Sequence, residues 1–91
     1  MRMTDQEIVE IVNAALAEEF ELDPAGLKPE ANLFTDLELD SLDMVDMVIV
    51  LEHAFKFKIR DEKAVRNIRT VGDVHGFVVG KVRELEGEGR G

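Results

Sequence analysis

The residues with the clearest chemical potential lie in the stretch TDLELDSLDMVDMV, from Thr35 to Val48. It holds one serine, Ser41, among five acidic and seven bulky apolar residues. A serine at the start of an apolar helical pattern can cap the helix, because its hydroxyl accepts a hydrogen bond from a free backbone N–H. It can also carry a covalently attached group. The carboxylates around it raise the further question of a metal site.

The spacing of Asp36, Glu38 and Asp40 resembles the first ligands of an EF-hand calcium loop. The sixth position of such a loop should be glycine and the twelfth glutamate, but this chain has Ser41 and Met47 there. We therefore expect no dedicated metal site.

A hydrolase reading of Ser41 is also weak. The serine lacks the flanking glycines of a nucleophile elbow. His53 lies twelve residues on in the same predicted helix, about three turns away and out of reach. His75 could approach only through tertiary folding. With no cysteine in the chain there is no thiolate nucleophile either, so we expect a protein that is not an enzyme.

Charge is distributed unevenly along the 91 residues, which carry a net charge of −9. Residues 1–46 hold 13 acidic and 2 basic residues, and a basic segment follows from Lys56 to Arg69. The acidic front half would repel nucleic acid, so we expect no nucleic-acid partner. It favours partners with basic docking surfaces, although acids also simply keep a small domain soluble.

The chain starts without the apolar run of a signal peptide, and no stretch reaches membrane-spanning length. We expect a cytoplasmic monomer without stable membrane insertion. The length suits one small domain. We place it at residues 1–83, with residues 84–91 as a disordered tail.

The first helix is predicted by a capping box at Thr4 and Glu7 and ends near Glu19 or Phe20. A long connection follows, from Glu21 to Asp40. Apolar side chains within it could pin it to the core. These are Leu22, Leu27, Leu33, Phe34 and Leu37.

The second helix should begin after Asp40, an N-cap candidate with Asp43 at the N3 position. Its buried stripe is predicted to be Met44, Met47, Val48, Leu51 and Phe55. Further apolar residues, at Leu42, Val45, Ile49 and Val50, make the helix apolar on most of its circumference. Either the long connection covers them, or some are exposed and form a partner surface.

The remainder predicts a helix end and an extended connection at Phe55–Arg60, a short helix at Asp61–Val65 and a last helix entered through Thr70 and Asp73. Gly76 and Gly80 weaken that last helix and would allow close helix packing. Its apolar stripe comprises Val71, Val74, Val78, Val82 and Leu85. The expected fold is all-α, a four-helix bundle with a long first loop and a short third helix.

Ser41 is also well placed as an attachment point. A hydroxyl in the first helical turn projects outward, and a phosphodiester there would lie near free backbone N–H groups at the positive end of the helix dipole. The surrounding acids would help a basic enzyme find the serine.

These residues match a family pattern. Asp40-Ser41-Leu42, preceded by LFTDLELD and followed by DMVDMVIVLEHAFKFKI, closely resembles acyl carrier proteins over Thr4 to Val82. The resemblance implies that a phosphopantetheinyl transferase attaches 4′-phosphopantetheine from coenzyme A to Ser41. Its thiol would then carry acyl groups as thioesters for acyl-handling biosynthetic enzymes. We expect the docking residues to be Asp36, Asp40, Leu42, Asp43, Met44, Val45, Asp46 and Glu52.

Two alternatives stay open at this point. Peptidyl and aminoacyl carrier proteins share the fold and the serine, although the acidic helix entry favours the acyl branch. A plain helical interaction module would use Ser41 as an unmodified N-cap.

The chain also departs from the family pattern. Glu38-Leu39 stand where many members have Gly-Ala or Gly-x, His53-Ala54 replace further acids, and Arg60 replaces a common proline. These departures indicate a specialised carrier for a dedicated lipid or secondary-metabolite pathway.

Overall fold

Three α-helices dominate the computed structural model, which describes residues 3–59 and 65–88. They are α1 (Asp5–Phe20), α2 (Ser41–Phe55) and α3 (Val71–Glu88), with a 3₁₀ turn at Pro24–Gly26 in the long first connection. The described residues contain no strand beyond a single antiparallel bridge between Asn32 and Thr70. The all-α prediction is confirmed.

The predicted fourth helix is not confirmed, because all of Asp61–Val65 except Val65 lies outside the described residues. Three α-helices are counted in the described part of the chain, and the fourth stays a prediction. Helix α2 ends at Phe55, as the predicted helix end requires, and residues 57–59 have no regular structure. Arg60, the last residue of the predicted connection, lies outside the described residues.

Each helix starts at a reciprocal capping box, as the sequence predicts. In each box the side chain of the first residue accepts from the N3 backbone N–H, and the N3 carboxylate accepts from the first residue's backbone N–H. The pairs are Thr4 with Glu7, Asp40 with Asp43 and Thr70 with Asp73. Each box satisfies two N–H groups, one of them among the N–H groups that an α-helix leaves without an internal acceptor.

The core lies where α1 packs against both α2 and α3. Its buried members are Ile, Val, Leu and Met side chains and one phenylalanine, Phe57. Its fully buried members are Ile8, Val12, Leu16, Leu33, Met47, Leu51, Val71, Val74 and Val78. Four of the five apolar positions of α3 are buried as predicted, whereas Leu85 is 44% exposed.

The long first connection is fastened to the start of α3 by backbone hydrogen bonds. Leu33 N donates to Arg69 O (2.8 Å), Val71 N to Ala31 O (3.0 Å) and Gly72 N to Pro29 O (2.8 Å). Its own side chains Leu27, Leu33 and Leu39 are buried in the core. The connection therefore holds the start of α2 in a fixed relation to the start of α3.

Helix α3 continues to Glu88, beyond residue 83, where we expected the folded domain to end. Arg83 explains the extension, because its guanidinium donates to Asp5, to the backbone oxygen of Met3 and to Glu86. These bonds fasten the end of α3 to the start of α1. Residues 89–91 of the predicted tail lie outside the described residues.

The expected role of Gly76 and Gly80 in close packing is wrong. A Cβ atom built at either position meets nothing within 4 Å. The close approach occurs at Gly72, where a Cβ atom would lie 2.9 Å from the backbone oxygen of Pro29.

Candidate functional site at the start of α2

Ser41 occupies the first residue of α2, and Asp40 is the N-cap. Asp40 Oδ1 accepts from Asp43 N (2.9 Å), and Asp43 Oδ2 accepts from Asp40 N (3.0 Å). The two carboxylates thus do the capping. Ser41 is exposed, and its hydroxyl forms no hydrogen bond with any described residue, so it is available for chemistry.

The loop that leads to Ser41 holds its shape through its own side chains. Asn32 Oδ1 accepts from Phe34 N (2.8 Å) and Thr35 N (3.0 Å), and Asp36 Oδ2 accepts from Asn32 N (2.7 Å). Glu38 adopts a left-handed backbone conformation with φ of 57°. Glycine adopts this conformation without steric cost. This explains why glycine is common in the family pattern at the position that Glu38 occupies here.

An apolar groove of about 580 Å³ opens beside Ser41. We call it the Ser41 groove. Its walls come from the loop, from α2 and from the segment that precedes α3. The lining residues are Phe34, Ser41, Met44, Val45, Val48, Ile49, Ile59, Val65, Arg66, Ile68 and Arg69. Most of this lining is aliphatic, so the groove suits an apolar ligand.

Three large apolar side chains on α2 face solvent. Leu42 is 75% exposed, Val45 58% and Ile49 47%. The sequence left open whether the apolar residues of α2 are covered or exposed. These three side chains are exposed, and their use as a partner surface stays a prediction. Together with Asp46, also exposed, they form what we call the α2 face. Apolar patches rimmed by charge are typical of surfaces that bind other proteins.

The predicted docking residues differ in their surroundings. Four of the acids direct carboxylate oxygens at backbone N–H groups: Asp36 to Asn32, Asp40 and Asp43 to each other, and Glu52 to Ile59. Asp46 alone of the predicted acids makes no hydrogen bond or ion pair with any described residue.

Met44 does not lie on the exposed surface. It is only 8% exposed, because it shares the core-facing stripe of α2 with Met47 and Leu51. Its remaining accessible surface belongs to the wall of the Ser41 groove.

Neither histidine lines the Ser41 groove. His53 is exposed in the last turn of α2, and His75 is buried with Nε2 2.7 Å from Asn13 Oδ1. Burial lowers the pKa of His75, because desolvation disfavours the charged ring. Neither histidine is therefore placed in the groove as a general base for Ser41.

Residues 3–59 and 65–88 contain neither a metal-binding cluster nor a membrane-spanning helix. No group of three or more His, Asp or Glu side chains there is arranged to hold a metal ion. No helix in those ranges is both long enough and apolar enough to span a bilayer.

Comparison with known proteins decides the family. The family model described as the phosphopantetheine attachment site matches residues 10–78, which include Ser41. Acyl carrier protein 2 of Ralstonia nicotianae is 45% identical over 76 residues, 84% of this chain and 93% of that protein. The chain belongs to the acyl carrier protein family. The acyl carrier protein of Thermosynechococcus vestitus is 41% identical over 80 residues, 88% of this chain and 98% of that protein.

The start of α2 in this acyl carrier protein fits the phosphopantetheine group, for which the family domain is the attachment site. The exposed Ser41 hydroxyl has no structural hydrogen bond to lose, and the backbone N–H groups of Ser41 and Leu42 have no acceptor among the described residues. Free N–H groups at a helix start favour an anion. The apolar groove lies directly beside the serine.

Sequence reasoning missed two residues of the site. Arg66 and Arg69 appear in the sequence as part of a basic segment, 25 or more positions after Ser41, yet they line its groove. No local sequence pattern connects these arginines with Ser41. They line the same groove only because the long connection packs against the start of α3.

Proposed function

We propose that this acyl carrier protein is loaded at Ser41 with 4′-phosphopantetheine by a separate phosphopantetheinyl transferase. The observation that carries the assignment is the exposed Ser41 hydroxyl, which is not needed for capping because Asp40 and Asp43 cap α2. The rival role, an unmodified serine N-cap in a helical interaction module, requires the hydroxyl to accept a backbone hydrogen bond. Ser41 is also the only serine in the chain.

Once attached, the group supplies a terminal thiol on which acyl chains are carried as thioesters. The protein itself supplies position and shelter. Ser41 sits at the mouth of a groove whose walls include Val48, Ile49 and Ile68. Such walls favour aliphatic cargo, because burying apolar surface contributes about 25 cal/mol for each Å² removed from water.

The α2 face is the proposed docking surface for the transferase and for fatty-acid, lipid or secondary-metabolite biosynthetic enzymes. Leu42, Val45 and Ile49 provide apolar contact, and Asp46 provides a carboxylate without another partner in the described structure. Asp36, Asp40, Asp43 and Glu52 add negative potential while their carboxylates also hold the backbone. Such a field steers a basic partner toward Ser41.

The remaining features of the proposal follow from the same role. The protein acts as a cytoplasmic monomer. It is not an enzyme, because the chemistry belongs to the arm and to the partner enzymes. A short helix at Asp61–Val65 completes a four-helix bundle. The carrier domain includes α3 up to its end at Glu88.

Intact mass spectrometry tests the assignment. Incubation with coenzyme A and a broad-specificity transferase should add one phosphopantetheine to the wild-type protein and none to Ser41→Ala. Thr35→Ala, which removes another hydroxyl from the same loop, is the matched control and should load normally. Circular dichroism should show that all three proteins are equally helical. Loading that persists in Ser41→Ala would place the arm elsewhere.

A further inference from the structure

Two arginines line the Ser41 groove together with the serine. Arg66 and Arg69 are exposed, and neither forms a salt bridge with a carboxylate of the described residues. Asp73 accepts from the backbone N–H of Arg69 (2.9 Å) and not from its guanidinium. In a chain with a net charge of −9, these two cations thus share one groove with Ser41.

The Arg69 side chain is held in place by its surroundings. Its Nη1 donates to the backbone oxygens of Arg66 and Ile68, the latter at 3.1 Å. Its guanidinium lies over the Phe34 ring, 6.0 Å from the ring centroid, which is the distance range of a cation–π contact. The Nε and Nη2 donors remain, on a planar group whose geometry matches phosphate oxygens.

Loading would add a negative charge to a strongly acidic place. A phosphodiester on Ser41 would stand next to Asp40 and Asp43, and Asp36 and Glu38 are close in sequence. Like charges within a few ångströms repel each other, and the repulsion is reduced by a nearby cation. Among the described residues that line the groove, Arg66 and Arg69 are the only cations.

We propose that Arg66 and Arg69 bind the phosphodiester of the arm on Ser41 and thereby tie the start of α2 to the segment before α3. This proposal rests on the proposed function, since it needs Ser41 to be loaded. Because loading creates an attraction that the unloaded protein lacks, the loaded protein should be the more stable form at low ionic strength. Added salt should weaken the effect.

Thermal melts of unloaded and loaded protein test the proposal. At low ionic strength, loading should raise the Tm of the wild type, and the loaded R66Q/R69Q double variant should lose most of that rise. K56Q/K58Q is the matched control, because it removes the same amount of charge from two exposed lysines that do not line the groove. It should keep the rise. R66K/R69K retains the charges without the planar fork and should keep part of it.

A second measurement reports on the phosphate directly. The ³¹P resonance of the loaded wild type should move as salt is added, because the arginines release the phosphodiester. In loaded R66Q/R69Q the resonance should start near the released position and move little. A resonance that responds to salt equally in both proteins would overturn the proposal.

The same groove could instead hold a carboxylate at the end of an acyl cargo, and the loaded free-thiol form separates the two sources. A Tm rise in the free-thiol form supports the phosphodiester. A rise that appears only with carboxylate-bearing cargo, such as a succinyl group and not a butyryl group, overturns it. Should R66Q/R69Q fail to fold, R66Q alone decides, since the Arg66 guanidinium makes no hydrogen bond with described residues. An unchanged rise in R66Q would then reject the proposal.

Intact mass distinguishes the two levels of failure. If no phosphopantetheine is added to the wild type, the proposed function fails and this proposal falls with it. If the protein loads at Ser41 but the wild type and R66Q/R69Q show the same Tm rise, only the arginine proposal fails.

Discussion

His75 and Asn13 join α3 to α1 inside the protein, with His75 Nε2 2.7 Å from Asn13 Oδ1. His75 is the one buried polar side chain of the described residues, and its burial lowers its pKa below the ordinary value of 6.5. The folded protein therefore favours the neutral ring, whereas the unfolded chain accepts a proton near the ordinary pKa.

The first prediction concerns acid sensitivity. Below pH 6.5 the unfolded state binds more protons at His75 than the folded state, so the free energy of unfolding should fall as the pH falls. His75→Gln removes this titration and should flatten the dependence of Tm on pH between about 7.5 and 5.5.

His53→Gln provides the control for the slope of Tm against pH, because it removes the other histidine of the chain at an exposed position. Melts at half-unit pH steps measure it. A wild-type slope that survives in His75→Gln would refute the assignment.

The second prediction separates capping from charge at the start of α2. Asp40→Ala removes the acceptor of Asp43 N and should lower the free energy of unfolding by about 0.5–2 kcal/mol. Asp46→Ala removes an exposed carboxylate without a described partner and should change it by less than about 0.5 kcal/mol. Denaturant titration of both variants measures the difference. Equal costs would show that the cap contributes nothing beyond its charge.

The third prediction concerns recognition by the transferase. Asp46→Lys should slow phosphopantetheine loading, because it reverses an exposed charge on the α2 face without breaking a described hydrogen bond. The wild-type rate should fall with added salt, as expected for electrostatic steering.

Glu19→Lys makes the same charge change at an exposed position on α1 and should have little effect on the rate. Initial loading rates at several salt concentrations give the answer. A rate that is insensitive both to salt and to Asp46→Lys would exclude electrostatic docking at this residue.

The fourth prediction concerns glycines in α3. Gly72→Ala would place a Cβ atom 2.9 Å from the Pro29 backbone oxygen, and relieving that overlap should cost about 1–3 kcal/mol. Gly80→Ala meets nothing within 4 Å and should stabilise the helix by roughly 0.5–1 kcal/mol. Chemical denaturation should show the opposite signs. A stabilising effect of Gly72→Ala would mean that the backbone at Pro29 moves away from the new Cβ atom without cost.

Much of this protein could be read from the sequence, because the deciding interactions are local. A capping box spans four residues, from the N-cap to N3, so Thr4, Asp40 and Thr70 predict the helix starts without knowledge of the fold. The attachment candidate Ser41 could be found for the same reason, because it directly follows the N-cap Asp40.

Tertiary structure decided which apolar residues of α2 are buried. The helix is apolar on most sides, so periodicity alone could not separate Met44, which is buried, from Leu42 and Val45, which are exposed. The choice depends on where α1 and the long connection lie, and both are distant in sequence.

The contacts that shape the groove and the core are likewise non-local. Arg69 reaches the groove of Ser41, Gly72 meets Pro29, and His75 meets Asn13 across 62 positions of the chain. Residue types and local spacing determine where this chain begins its helices and where it offers a hydroxyl. Which side chains surround that hydroxyl is determined by the packing of segments that the sequence keeps apart, because the free energy of burial depends on the whole core and not on any one helix.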